Sequence, residues 1–95
     1  MTIQLVQKAG VFAESKEVAR AIRIQQLIPT LEKNEDIILD FTGIEWTNQA
    51  FIHVLISDLI RNYGNDVLEK IQFKFCNETV KGIISIVTDY MQESE

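Results

Sequence analysis

Apolar positions recur in three rhythms along this chain (alternating, helical and continuous), and the rhythms divide it into elements. Over residues 2–7, Ile3 and Leu5 alternate with Gln4, which predicts a short edge strand. From Ser15 onward the period lengthens. Val18, Ala21, Ile22, Ile24 and Ile28 recur at helical spacing, with Ser15 placed to cap the first turn and the helix ending near Lys33. Pro29 lies inside that helix without a backbone donor, so a kink or break is expected close to Ile28. Asn34, Glu35 and Asp36 make a polar turn. The run Ile37, Ile38, Leu39, Asp40, Phe41 then reads as a central strand covered on both faces. Thr42 and Gly43 turn the chain into an exposed loop that carries Trp46, Thr47, Asn48 and Gln49.

A second helix is predicted from about Gln49 to Tyr63, stopped by Gly64. Ile52, Leu55, Ile56, Leu59 and Tyr63 share one face of it, while His53, Ser57 and Arg61 stack on the other side. Residues 70–76 alternate Ile71, Phe73 and Phe75 with Gln72 and Lys74, as a strand with one face in the core would. Asn77 is placed to cap a last helix with the apolar stripe Val80, Ile83, Ile84, Val87, Tyr90 and Met91. Within that helix Gly82 suggests close packing, and Gln92 to Glu95 read as a frayed end. Strands alternating with helices predict one α/β layer domain, with a short, mostly parallel sheet covered by about three helices. Right-handed crossovers put the loop after the central strand on the same sheet edge as Cys76 and Asn77, with unpaired helix-start N–H groups there. In such folds that edge is the usual place for a site.

Composition narrows the function classes. At 95 residues and 46% hydrophobic content the chain suits a single folded domain with a modest core. No run approaches the roughly 18 apolar residues of a membrane span, and no basic region precedes an apolar segment at the start, so neither a span nor a secretory signal is expected. The single cysteine, Cys76, makes no internal disulfide and fits the cytoplasm. A net charge of −5, with nine Lys and Arg scattered along the chain, argues against direct nucleic-acid binding. It leaves open an acidic surface that meets a basic partner or imitates DNA.

Candidate chemistry is sparse. His53 has no second His or Cys near it, so no metal site is expected. Ser57 and His53 one helical turn apart, with Asp58 beside them, do not make an oriented nucleophile and base, and catalysis is not expected. Neither GxxxxGK[ST] nor GxGxxG occurs, so no nucleotide cofactor is expected. Trp46 stands apart as an aromatic among polar loop residues, either an interface anchor or a lid over the core. Thr47, Asn48 and Gln49 suit helix capping as well as partner contact, and Thr47 is the candidate phosphate acceptor near the positive end of the second helix. His53 reads either as a solvent-facing helix residue or as a partner contact.

The strand-and-loop pattern of apolar residues, Asp40, Phe41 and Gly43, then Gln49, Ala50 and Phe51, resembles the STAS-like domains, small bacterial and phage relatives of the anti-anti-sigma fold. The resemblance covers about residues 12–91. In anti-anti-sigma proteins a serine at the start of the helix after this strand is phosphorylated by an anti-sigma kinase, which docks around it. That serine falls near Gln49 here, and neither Gln49 nor its neighbours Asn48 and Ala50 can accept phosphate. The acidic residue usual beside the serine is missing, and His53 and Val54 stand where related sequences carry further acidic residues.

The resemblance therefore implies docking without the usual switch. The expected function is a non-enzymatic, cytoplasmic protein-interaction module of a bacterial or phage regulatory system, with an ATP-binding kinase-like protein as partner. Its expected contacts are Glu45, Trp46, Thr47, Asn48 and Gln49 with the helix face His53, Ser57 and Arg61. The alternatives are an acidic inhibitor that blocks a nucleic-acid enzyme, and a small-ligand sensor with a pocket of a few hundred cubic ångströms at the helix-start edge.

Overall fold

The computed structural model describes residues 1–93. In chain order the elements are β1 (Thr2–Gln4), α1 (Val6–Ala9), β2 (Phe12–Ala13), α2 (Lys16–Ile22), α3 (Ile28–Glu32), β3 (Ile37–Asp40), β4 (Trp46–Thr47), α4 (Gln49–Tyr63), β5 (Ile71–Lys74) and α5 (Glu78–Glu93). A π-helical segment, Arg23–Leu27, joins α2 to α3, and a 3₁₀ segment, Asn65–Lys70, leads into β5. The protein is a small α/β domain with short parallel sheets.

The main sheet has the order β1-β3-β5, all parallel. Its register aligns Ile3 with Leu39 and Phe73, and Ile37 with Ile71, so these apolar side chains from all three strands share one face. That face is the core. Ile3, Ile37, Leu39 and Ile71 are buried, and the rings of Phe41 and Phe73 meet at 6.3 Å between centroids. The apolar run predicted a central strand covered on both faces, and this needs correction: β3 is central but covered on one face. Thr2, Gln4, Gln72 and Lys74 on the other face are exposed, with Ile38 and Asp40 half-buried between them.

Several boundaries differ from the sequence reading for local reasons. β1 stops at Gln4 because the chain turns helical at Leu5, whose carbonyl accepts from the Lys8 and Ala9 amides. Leu5 still faces the core. At its far end β5 stops at Lys74 because Phe75 takes φ +61°, which swings its ring out to 70% exposure instead of into the core. Pro29 produces the expected irregularity just before Ile28, as the π-helical turn of Arg23–Leu27, after which the helix resumes as α3. Gly82 corrects another expectation: it is exposed, and a Cβ there would meet nothing within 4 Å, so it serves no close packing. The frayed end expected from Gln92 to Glu95 needs correction in its first half, since helix α5 continues to Glu93, and its second half lies outside the described residues.

Helix α4 spans the predicted residues and ends at Gly64, whose φ of +81° suits glycine. It packs between α2 and α5, which widens its buried arc beyond the predicted stripe. Phe51, Ile60 and Ser57 are buried with Ile52, Leu55, Ile56 and Leu59, while Tyr63 is exposed. Arg23 clamps α2 to this helix. Its guanidinium donates to the Val54 carbonyl at 2.7 Å and pairs with Asp58 at 3.2 Å.

Candidate functional site

The strand-to-helix loop is built by three local devices. The Thr42 amide donates to the Asp40 carboxylate at 2.8 Å, closing a tight turn that Gly43 continues at φ +87°. A Cβ on Gly43 would lie 3.3 Å from the Val6 side chain of α1, a tight approach, so space as well as conformation favours glycine there. Thr42 also holds the Asp40 carboxyl below its ordinary value, first through its side chain and then through its amide. Asn48 caps α4 by accepting from the Phe51 amide at 2.8 Å. Asn77 caps α5 through the Val80 amide at 2.8 Å and donates to the Glu45 carbonyl at 2.9 Å. The two helix starts share one edge of the sheet, as predicted, but these caps already occupy one of the unpaired N–H groups of each.

Trp46 and Thr47 lie in a strand rather than in an irregular loop. β4 pairs in parallel with β2, Phe12 opposite Trp46 and Ala13 opposite Thr47. Partnered residues on parallel strands point to the same side, and the burial follows. Phe12 and Trp46 stand side by side at 58% and 39% exposure, and Ala13 and Thr47 are fully buried beneath them. Val11, whose carbonyl accepts from the Glu45 amide, is exposed beside the pair.

The candidate residues separate accordingly. Glu45, Trp46 and Gln49 are exposed at the sheet edge, and Asn48 is engaged as the cap. Thr47 is no accessible phosphate acceptor, because its hydroxyl is buried and donates to the Ala13 carbonyl at 2.7 Å. Nor does Ser57 belong to an outer face, since the packing of α2 and α5 buries it. His53 is half-buried and Arg61 is exposed. The Asp58 carboxylate is engaged by Arg23 and Arg61 rather than by His53. Among the described residues no group of three or more His, Cys, Asp or Glu could hold a metal ion, and no helix is long and apolar enough to cross a membrane.

A cavity of about 380 Å³ opens between the starts of α2 and α4 and the C-terminal half of α5. Gln49 and His53 line it together with Lys16, Val54, Val87 and Tyr90. Sequence reasoning put Tyr90 on the apolar stripe of α5, whereas its ring is 65% exposed. Phe12, Lys16 and Tyr90 are the site residues it missed. Phe12 and Lys16 precede the segment that carried the signal, and only the tertiary fold brings Tyr90 beside His53.

A parallel three-stranded core sheet, a capped loop after its central strand and a helix flanked by two others define a compact α/β domain of the STAS-like kind. The chain belongs to the family described as the STAS-like domain of unknown function (DUF4325), whose sequence profile matches residues 18–81. Neither the curated proteins nor the solved structures include a match to the chain.

Proposed function

We propose that this domain is a non-enzymatic protein-interaction module of a bacterial or phage regulatory system. It docks its partner through the surface around Phe12, Glu45, Trp46 and Gln49, with His53 and Arg61 at the margin. The observation that supports this reading is the exposed Phe12–Trp46 pair. Two adjacent aromatic rings held outward by a short sheet lose little side-chain entropy on binding, and aromatic residues dominate the energetics of interfaces.

The partner is an ATP-binding, kinase-like protein, a choice that rests on the likeness to anti-anti-sigma proteins. Docking is constitutive, since Gln49 replaces the serine and Thr47 is buried. The acidic-inhibitor reading has less support, because acidic side chains are distributed over α2, α3, β3, α4 and α5 rather than gathered on one element. Affinity capture from the native host, with and without ATP, tests the proposal. The expected result is an ATPase-like protein retained by the wild type and lost with Phe12→Ser. Equal retention by the variant would remove the aromatic pair from the interface.

A further inference from the structure

The cavity beside α4 is distinct in character from the aromatic pair. Among the described residues four side chains with hydrogen-bonding capacity line it: Lys16, Gln49, His53 and Tyr90. None of the four makes a side-chain hydrogen bond or an ion pair with any described residue, so their capacity is unspent. The rest of the lining is apolar, with Val54 on α4 facing Ile86 and Val87 on α5. No carboxylate among the described residues lines the cavity, although the chain carries 14 acidic residues and a net charge of −5. Lys16 supplies the only formal charge among the described lining residues.

We propose that this cavity binds a small amphiphilic carboxylate, with its charged end at Lys16 and its apolar body between α4 and α5. Several observations select that class. The volume of about 380 Å³ falls at the lower end of small-molecule pockets. One ammonium matches a monoanion. A phosphate group would call for several cations, and Lys16 is the single cation among the described lining residues. Gln49, His53 and Tyr90 can donate to the carboxylate oxygens around Lys16, while Val54, Ile86 and Val87 cover an alkyl or aryl chain. A cationic ligand would be repelled by the lysine, and a neutral one would draw no charge attraction from it.

The test is an NMR titration of the full chain with octanoate, octylamine and octanol, following the amides of Ala50, His53, Val54 and Val87. Octanoate should give saturable shifts at these positions, with octylamine at least tenfold weaker. Lys16→Gln, at an exposed position, should weaken octanoate at least tenfold and leave octanol unchanged. Three results would overturn the proposal: absence of saturable shifts with octanoate, equal affinity for octylamine, or an unchanged octanoate affinity in Lys16→Gln. A response to an acidic amphipathic peptide with none to octanoate would also overturn it, assigning the cavity to a protein segment. Because Lys16→Gln leaves Phe12 and Trp46 in place, failure here is distinguishable from failure of the docking proposal.

Discussion

Thr47 donates its hydroxyl proton to the Ala13 carbonyl across 2.7 Å, at a position with no exposure to solvent. This bond fastens β4 to β2 directly beneath the aromatic pair, so it sets the platform on which Phe12 and Trp46 stand. Thr47→Val keeps the shape but leaves the Ala13 carbonyl unsatisfied, which costs about 1–2 kcal/mol. Thr47→Ser keeps the donor and should cost less. Urea denaturation midpoints of the two variants check the order, and a Val variant as stable as the Ser variant would contradict it.

Arg23 and Asp58 make a second test of the scaffold. The Arg23 side chain is only 12% exposed and serves both the Val54 carbonyl and the Asp58 carboxylate. Arg23→Met should destabilise by about 1–3 kcal/mol, mainly through the lost hydrogen bond and desolvated carbonyl. Asp58→Asn should cost less, because that carboxylate is 40% exposed. A double-mutant cycle in chemical denaturation measures the coupling between them.

The cap residues and the long elements were legible because each rests on local chemistry. Ser15 accepts from the Val18 amide at 3.3 Å, and Asn77 and Gly64 stop or start helices where their side chains or backbone freedom predict. The family itself was legible from Asp40, Phe41 and Gly43, which the structure explains as a tight turn against Val6. The β2–β4 pair was not legible, because two-residue strands are too short to show a period. Likewise Ser57 looked solvent-facing on a helical wheel, which records the helix but not its neighbours on both sides. Phe75 alternated correctly with Phe73, yet a single left-handed residue turned it outward.

Gly82→Ala should stabilise the domain by about 0.5–1 kcal/mol, since alanine restricts the unfolded chain and favours the helix. The position is exposed mid-helix with open space at the Cβ. A lower melting midpoint would contradict this and point to a role for the glycine outside folding.

Asp40 gives the stability an acid-side dependence. Its carboxyl is held below its ordinary value of 3.8 in the folded state by Thr42. Its contribution is therefore complete above that value and is lost as the pH falls through the lower, folded-state value. Denaturation midpoints measured from neutral to strongly acid pH should fall less steeply for Asp40→Asn than for the wild type. Parallel curves would show that the turn draws nothing from the ionised carboxylate.

The central claim is that the Phe12–Trp46 pair is a binding surface rather than a cover for the core. The most direct measurement is the affinity of Trp46→Ala for the captured partner, taken together with its thermal midpoint. The account predicts at least a tenfold loss of affinity, with the midpoint moved by less than about 4 °C, under about 1 kcal/mol for a domain of this size. Unchanged affinity, or a loss of binding that follows a large drop in thermal stability, would contradict it.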